Sequence, residues 1–312
     1  MRIPALGLAL GVAADVLVGD PRRGHPVAGF GTAASALERR MYADSRARGA
    51  AYTVLVVGAT CGLGVAADRL TRRHPAARVA VTAAATWAVL GGTTLRREAR
   101  AIGAPLEAGD LEAARARLPY LVGRDPAGLD ASGIARAVVE SVAENTSDAV
   151  VAPLFWGAVA GLPGLLGYRA ANTLDAMVGH RTPRHLHFGW ASARLDDAAN
   201  LVPARLTGLL TVAAAPVVGG SPAAAWRVLR RDGGAHPSPN SGRCEASAAG
   251  ALGVRLGGRN VYAGRTEDRP VLGDGRPAEG RDIPRANRLS AAVGLVSAAL
   301  AFGVLAARDR HR

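Results

Sequence analysis

Apolar residues are gathered in long windows along this chain, and the charged residues lie between them. Five windows contain no Asp, Glu or Arg: residues 49–67, 79–95, 149–168, 206–226 and 289–307. A shorter window covers residues 3–18 and is interrupted by Asp15. A helix that crosses a bilayer core needs about 20 apolar residues, with about 17 as the lower end. The five long windows therefore predict membrane-spanning helices.

The alternative is a soluble protein with buried core helices, but such helices usually carry a polar stripe and these windows do not. We predict an all-α, polytopic integral membrane protein with four to six membrane segments. A single membrane-embedded catalytic domain is expected over residues 1–312, with polar loops forming the active site. The windows at 149–168 and 206–226 are broken by GLPG and APVVGGSP, so each is a candidate re-entrant segment.

The N-terminus resembles a signal peptide, because one Arg precedes an apolar run. No small-x-small cleavage site is evident and the polar motif GDPRRGHP follows directly, so we expect a retained first membrane segment. Arginines fall on both sides of any arrangement of the windows, and the positive-inside rule decides little. We expect a multi-pass protein of the cell membrane with its active-site loops on the cytoplasmic side.

The composition narrows the chemistry. The formal net charge is +13 and the chain contains no Lys, so its 38 Lys-plus-Arg residues are all Arg. This excludes a phosphate-binding P-loop lysine and a Schiff-base lysine. Phosphates or carboxylates would be held by Arg. The arginines are scattered among 25 acidic residues, which argues against nucleic acid as a partner. Two distant cysteines allow no disulfide framework.

The first acidic constellation is Arg136, Glu140, Glu144 and Asp148, which are spaced by four residues. On an α-helix this spacing places them in one stripe. Three carboxylates in a row repel one another unless a cation lies beside them, and Mg²⁺ with substrate phosphates is a natural partner. The alternative is a solvated helix face just before a membrane segment.

Acidic, amide and arginine side chains are also dense over residues 168–206: Arg169, Asn172, Asp175, Arg194, Asp196, Asp197 and Asn200. They predict two polar knots, although such groups can also be simple interfacial anchors. Three histidines between the knots, His180, His185 and His187, fit no familiar zinc spacing, and a solvated role is favoured over a metal site.

Two shorter motifs complete the candidates. HPSPNSG, residues 236–242, predicts a tight turn whose backbone N–H groups form an anion nest, with Glu245 near the start of a helix. A Ser241–Glu245 capping box is the alternative, but its spacing is one residue too long. Asp20 and His25 are a candidate metal or base pair, or part of a turn. Residues 100–118 predict a soluble helix that starts near Asp110, and residues 257–285 predict an extended ordered loop.

Several long blocks resemble one family, in order from Gly19 to about Leu272. They are GDPRRGHPV, VGRD, VESVAENTSDAVVAPLFW, YRAANTLDAMVGHR, FGWASARLDDAANLVPARLT and HPSPNSGRCEASAAGALGVRLGG. They are similar to the cobalamin-biosynthesis CbiB/CobD family of adenosylcobinamide-phosphate synthases. His185 departs from the family pattern, where an aromatic residue is expected, and this weakens a ligand role for His185 or His187.

The resemblance implies a multi-pass membrane enzyme of the late corrin pathway. Such an enzyme joins a propionate of adenosylcobyric acid to aminopropanol, or to its phosphate, in an amide bond. ATP and Mg²⁺ are the implied co-substrate and cofactor, and the corrinoid is the substrate. The lipid bilayer is an expected partner, and other late corrin-pathway enzymes or a second copy of this chain are further candidates.

We assign roles to individual residues as hypotheses, because the resemblance supplies blocks and not roles. Amide synthesis through an activated carboxylate needs metal ligands, phosphate donors and an acceptor for the amine proton. The catalytic candidates are Glu140, Glu144, Asp196 and Asp197. The metal candidates are Asp148, Glu144 and Asp197. The phosphate-binding candidates are Arg124, Arg169, Arg181 and Arg194. The remaining substrate-binding candidates are Asp20, His25, Asn145, Asn172, Asp175, His236, Asn240 and Glu245.

Two other classes compete with this interpretation. The fragment DASGIAR faintly echoes a membrane phosphotransferase motif, but the Gly-x₃-Asp-x₃-Asp continuation is missing. A transporter of a corrinoid-like solute would place ionisable residues inside its membrane segments. Here the windows are nearly free of them apart from Asp15, and the polar density lies in the loops, which favours chemistry at the membrane surface.

Overall fold

The structure is a computed structural model that describes residues 3–21, 24–262 and 265–308. Most of the described residues are helical. The α-helices of the described residues are α1 (Ile3–Val18), α2 (Pro26–Met41), α3 (Arg46–Thr71), α4 (Pro75–Val89), α5 (Gly92–Glu107), α6 (Leu111–Arg117), α7 (Ala131–Thr146), α8 (Ala152–Leu174), α9 (Trp190–Ala214), α10 (Pro222–Asp232), α11 (Ser241–Leu252) and α12 (Asp282–Arg308).

Residue contacts divide the chain into two compact units. The first unit contains Met1–Gly91, Asp148–Asn200 and Ser297–Arg312, and the second contains Gly92–Ser147 and Leu201–Val296. This division does not test whether the chain acts as one catalytic domain, so that expectation stays a prediction.

Four helical stretches are long and apolar enough to cross a membrane: Arg46–Thr71, Ala131–Gly179, Trp190–Val218 and Asp282–Arg308. The prediction of an all-α polytopic membrane protein with four to six segments is confirmed. The prediction that residues 79–95 form one membrane-spanning helix is wrong, because α4 ends at Val89 and α5 begins at Gly92. A helix of 15 residues is about 23 Å long, which is shorter than the roughly 30 Å hydrocarbon core.

The two windows that the sequence marked as broken are interrupted in the structure. Within α8, Gly161 has a non-helical backbone (φ 64°, ψ −151°) that kinks the helix just before Pro163. The window at 206–226 ends earlier than predicted: α9 stops at Ala214, a 3₁₀ turn covers Ala215–Val218, and α10 begins at Pro222. Trp226 therefore belongs to a separate helix and not to the membrane segment.

The acidic stripe of α7 is shorter than predicted. The α-helix carries Arg136, Glu140 and Glu144, but Ser147–Val151 form a π-helix. A π-helix bonds each residue to the fifth along the chain instead of the fourth. Asp148 therefore does not continue the α-helical stripe, since a spacing of four residues places side chains on one face only in an α-helix.

Residues 254–277 form a small sheet in place of the extended loop predicted from residue 257 onward. Strand β1 (Val254–Tyr262) pairs antiparallel with β2 (Arg265–Leu272) and parallel with β3 (Arg276–Pro277). A bulge interrupts the β1–β2 ladder between Leu256 and Gly258. The predicted helix start at Asp110 is confirmed, since its carboxylate accepts from the N–H of Ala113 at 3.0 Å.

The first unit has an aromatic core beside α3. Tyr52 and Phe188 are fully buried, and their ring centroids lie 5.2 Å apart. The Tyr52 hydroxyl donates to the carbonyl of Ala34 at 3.1 Å. A Cβ on Gly49 would overlap the carbonyl oxygen of Phe188. The absent side chain at Gly49 therefore lets α3 approach this backbone closely.

We predict that Gly49→Ala destabilises the protein by about 1–3 kcal/mol, because backbone atoms must move to accept the methyl group. Gly58→Ala on the same helix is the matched control, since its Cβ meets nothing within 4 Å. That change should be neutral or slightly stabilising, as Ala is the better helix former. Thermal unfolding in detergent measures both, and equal shifts would contradict the packing explanation.

Candidate functional site

The second unit contains three glutamates that interact with one another, Glu140 and Glu144 on α7 and Glu245 on α11; we call them the glutamate cluster. Glu140 is 2% exposed and Glu245 is 1% exposed, whereas Glu144 is half-buried. Burying a carboxylate is costly unless the charge is paired, hydrogen-bonded or neutralised by a proton. The three members meet this requirement in different ways.

Glu140 is held by a cation and a backbone donor. Its carboxylate forms an ion pair with the buried guanidinium of Arg124, and it accepts from the N–H of Gly257 at 2.6 Å. Arg136, one turn earlier on α7, donates to the carbonyls of Gly257 and Arg259. In the structure the charge of Arg124 balances that of Glu140. Phosphate binding by Arg124 stays a prediction.

Glu144 is tied to the first residue of α11. Its carboxylate accepts from the Ser241 hydroxyl at 2.6 Å. In the turn that leads into α11, the N–H groups of Ser238, Asn240 and Ser241 donate to side chains of His236 and Ser238. The expected anion nest is therefore filled by the turn's own side chains. The Asn240 side chain, although buried at the N-cap, makes no capping bond.

Glu245 is the member that carries the electrostatic cost. Burial, together with the charges of Glu140 and Glu144, raises the pKa of the Glu245 carboxyl well above its ordinary value. His236 lies 3.9 Å from it, and a guanidinium nitrogen of Arg269 lies 3.3 Å from the same imidazole nitrogen. Burial and Arg269 lower the pKa of His236. A buried carboxyl with this pKa favours a proton or another cation at the cluster.

We predict that Arg124→Leu destabilises the protein by about 3–5 kcal/mol, because it leaves the Glu140 charge buried without a counter-ion. The double variant Arg124→Leu with Glu140→Gln should recover a large part of this loss. Arg259→Leu is the control, since its ion pair with Asp268 is exposed on both sides and should contribute at most about 1 kcal/mol. Chemical unfolding in detergent measures the three, and additive losses in the double variant would contradict the pairing.

We predict that Glu245 makes stability depend on pH. Because its pKa is raised on folding, the folded state holds a proton that the unfolded state releases above an ordinary glutamate pKa of about 4.3. The stability contributed by the bound proton is lost as pH rises from there through the folded-state pKa. Glu245→Gln should therefore gain stability relative to the parent protein as pH rises from about 5 to about 8.

The measurement is thermal unfolding across that pH range, with Glu112→Gln as the control for an exposed carboxylate. A constant difference between Glu245→Gln and the parent protein would remove Glu245 as the source of the dependence.

The first unit contains a network of an acid, two amides and a phenol, which we call the Asp196 network. Asn172 and Asn200 each donate an amide N–H to the Asp196 carboxylate, at 3.2 and 3.0 Å. The Tyr168 hydroxyl donates to Asn200 Oδ1 at 2.9 Å. Asp175 acts on Asp196 electrostatically. The structure thus brings together the two knots that the sequence predicted separately.

Arg169 lies beside this network with its charge uncompensated by a direct ion pair in the described part of the chain. Its Nε is buried without a hydrogen-bond partner there. Asp20 and Asp148 act on it electrostatically from beyond ion-pair distance. A half-buried guanidinium of this kind is suited to an anionic group, since its planar fork binds phosphate and carboxylate in pairs of hydrogen bonds.

Other predicted residues of the first unit are nearer its surface. Arg194, which is exposed, lies 3.5 Å from Asp197, and exposed Arg181 acts on the same carboxylate electrostatically. His25 lies 3.4 Å from Asp20, and its Nδ1 accepts from the N–H of Val27 as the N-cap of α2. Arg22 and Arg23 of the same motif lie outside the described residues.

The histidines of residues 180–187 do not form a metal site in the described residues. His185 contacts Glu38 at 3.0 Å and His187 contacts Asp44 at 2.8 Å. Over residues 3–21, 24–262 and 265–308, no group of three or more His, Cys, Asp or Glu side chains could hold a metal ion. The metal roles of Asp148, Glu144 and Asp197 stay predictions, since Mg²⁺ with phosphates needs only one or two carboxylates.

Sequence reasoning missed several partners in these clusters. Ser241, Arg269 and Tyr168 were not among its site residues, although all three contact members of the clusters. Asn145, which was included, donates to Ser141 on its own helix at 2.9 Å. Two signals in the sequence could have pointed to them: the Ser241 hydroxyl at the start of α11 and the Tyr168-Arg169 pair that opens YRAANTLD.

These features define a polytopic helical membrane protein with two buried polar clusters. The model of the family described as "CobD/Cbib protein" matches residues 8–290, and the chain belongs to this family. It is 56% identical over 297 residues to cobalamin biosynthesis protein CobD of Mycobacterium tuberculosis strain H37Rv, covering 95% of this chain and 94% of the relative.

Two further relatives carry the same name. The CobD protein of Geobacter metallireducens is 50% identical over 265 residues, 83% of each chain, and a CobD protein of Rhodobacter capsulatus is 44% identical over 292 residues, 89% of each chain. No solved structure matches this chain.

Proposed function

We propose that this protein is an ATP- and Mg²⁺-dependent amide synthase of cobalamin biosynthesis, a carbon–nitrogen ligase of the adenosylcobinamide-phosphate synthase type. Its substrates would be adenosylcobyric acid and aminopropanol or aminopropanol phosphate. Membership of the CobD/Cbib family and similarity to cobalamin biosynthesis proteins support the pathway. The reaction class rests on the site chemistry set out below.

The glutamate cluster is the observation that carries the proposal. An aminopropanol substrate is an ammonium ion near neutral pH and must lose a proton before it can attack a carbonyl carbon. Three glutamates, two of them buried, would attract such a cation, although Arg124 and Arg269 offset part of their charge. In its ionised form Glu245 would accept the proton as the C–N bond forms, and its raised pKa makes this form a stronger base than an ordinary glutamate carboxylate.

The carboxylate substrate must be activated, because a carboxylate is a poor acyl electrophile. In the simplest route its oxygen attacks the γ-phosphorus of ATP, the γ–β bridge breaks, and an acyl phosphate and ADP form. The amine then attacks the acyl carbon and inorganic phosphate leaves with the bonding electrons. The amine proton passes to a carboxylate of the cluster, so the products are the amide, ADP, phosphate and one proton.

The phosphoryl groups require cations from the protein. Arg169 is the favoured residue, since no carboxylate within the described residues forms an ion pair with it. Arg181 and Arg194 would add charge from the surface. The half-buried carboxylates of Asp148 and Asp197 in the first unit, or that of Glu144 in the second, would offer the oxygen ligands that Mg²⁺ prefers. A bound Mg²⁺ would neutralise charge on the phosphates.

The orientation and assembly of the protein are part of the proposal. ATP is a cytoplasmic substrate, so the active-site loops would face the cytoplasm of the cell. Partners among the other late corrin-pathway enzymes, or a second copy of this chain, stay predictions.

The decisive experiment supplies the purified full chain in lipid nanodiscs with adenosylcobyric acid, Mg·ATP and each amine in turn. We expect the amide product and ADP by mass spectrometry, with no product when the corrinoid is omitted. Glu245→Gln should lower kcat by about 10²–10⁴-fold, the usual contribution of a positioned acid or base, whereas Glu112→Gln at an exposed site should leave it unchanged.

Formation of AMP in place of ADP would indicate an acyl adenylate intermediate instead of an acyl phosphate, and the synthase activity would still be supported. If folded protein forms no amide with either amine, the proposed synthase activity is contradicted. Transfer of a phospho-alcohol group from a nucleotide-linked alcohol to an acceptor alcohol, with release of the nucleoside monophosphate, would then favour the phosphotransferase. Corrinoid uptake into vesicles would favour the transporter.

A further inference from the structure

Helix α10 has two different faces. Ala225, Val228 and Leu229 are buried. Ala225 and Val228 pack against α11, where an added Cβ on Gly250 would lie 2.7 Å from the Cα of Ala225. The opposite face is exposed and carries Trp226, Arg227 and Arg230. The spacing of Trp226 and Arg230 by four residues places them side by side.

The exposed face combines one large aromatic ring with positive charge. Trp226 is 44% exposed, and the guanidinium of Arg230 lies 5.9 Å from its ring centre. The next arginine, Arg231, differs because it forms ion pairs with Asp232 and Asp274. No carboxylate of the described residues forms such a pair with Arg227 or Arg230. This face therefore presents a net positive, partly apolar surface.

The chain places α10 close to the end of a membrane-spanning stretch. The candidate span Trp190–Val218 is separated from Pro222 by only three residues. Gly219 adopts a left-handed conformation (φ 72°) that stops the helix and turns the chain. Four residue steps reach at most roughly 14 Å. The headgroup region on each side of the hydrocarbon core is roughly 5–8 Å thick, so α10 must begin in it or next to it.

We propose that α10 lies in the plane of the membrane interface and binds the phosphate groups of anionic lipids through Arg227 and Arg230. Trp226 would rest at the level of the headgroups. Tryptophan is enriched at this level because its ring is apolar and its N–H is polar. Amphipathic helices with aromatic and basic residues lie on bilayers in the same way, and anionic headgroups attract their arginines.

The contact would have a consequence for the glutamate cluster. Helix α10 packs against α11, and α11 carries Ser241 and Glu245. Lipid headgroups that hold α10 would therefore support the helix that positions a member of this cluster.

The experiment uses the full chain in nanodiscs that carry a bromine-labelled or spin-labelled lipid quencher near the headgroup or deep in the bilayer. The chain has four tryptophans, so the Trp226 signal is the difference between the parent protein and Trp226→Phe. We expect shallow quenchers to reduce this signal at least about twofold more than deep ones, because the ring would lie at headgroup level. The reduction should be larger in phosphatidylglycerol than in phosphatidylcholine discs.

The double variant Arg227→Gln with Arg230→Gln should lose this preference for the anionic lipid, and high salt should weaken it in the parent protein. Arg259→Gln is the matched control, because that exposed arginine is already paired with Asp268 at 3.2 Å. Quenching of Trp226 by aqueous iodide alone would overturn the proposal and leave the face to a protein partner. Equal quenching in both kinds of disc would overturn the anionic-lipid contact.

Discussion

The buried charge of Glu140 is the constraint on which the second unit depends. A carboxylate inside a largely apolar helix must be balanced, and Arg124 and the N–H of Gly257 balance it. Arg136 binds the carbonyl of the same glycine. At Gly257 the backbone is left-handed (φ 78°) and a Cβ would overlap the carbonyl of Pro270. The bulge in β1 therefore requires glycine and attaches the sheet to α7.

The neighbouring carboxyl of Glu245 is buried beside two other glutamates, and this environment disfavours its ionised form. Burial and the charges of Glu140 and Glu144 raise the pKa of Glu245, so it keeps its proton more tightly than an ordinary glutamate, although Arg269 and Arg124 act in the opposite direction. The same electrostatics that disfavour its charge favour any cation that enters the cluster. This property connects the packing of α7 and α11 to the proposed handling of an amine.

The first unit solves a similar problem with neutral groups. Asn172 and Asn200 hold the Asp196 carboxylate through amide donors, and Tyr168 fixes one of the amides. No arginine is consumed in these bonds, and Arg169 is left beside the network without an ion pair among the described residues. Because amide donors hold the Asp196 carboxylate, the nearby guanidinium of Arg169 is not needed to balance it and can bind another group.

The sequence by itself determined the features that depend on neighbouring residues. Apolar windows predicted membrane helices, the Gly and Pro motifs predicted both breaks, and Asp110 predicted a helix start, because helix periodicity and capping act within a few residues. The ends of the windows at 79–95 and 206–226 needed the structure, since apolar composition does not reveal where a turn interrupts a helix.

Only the tertiary structure decided which charges meet. It paired Arg124 with Glu140 at a spacing that no helix repeat predicts, joined Asn172 to Asp196, and filled the expected anion nest with Ser238 and His236. The physical reason is that a long side chain can reach many partners. Which one it binds depends on where packing places the helix that carries the other.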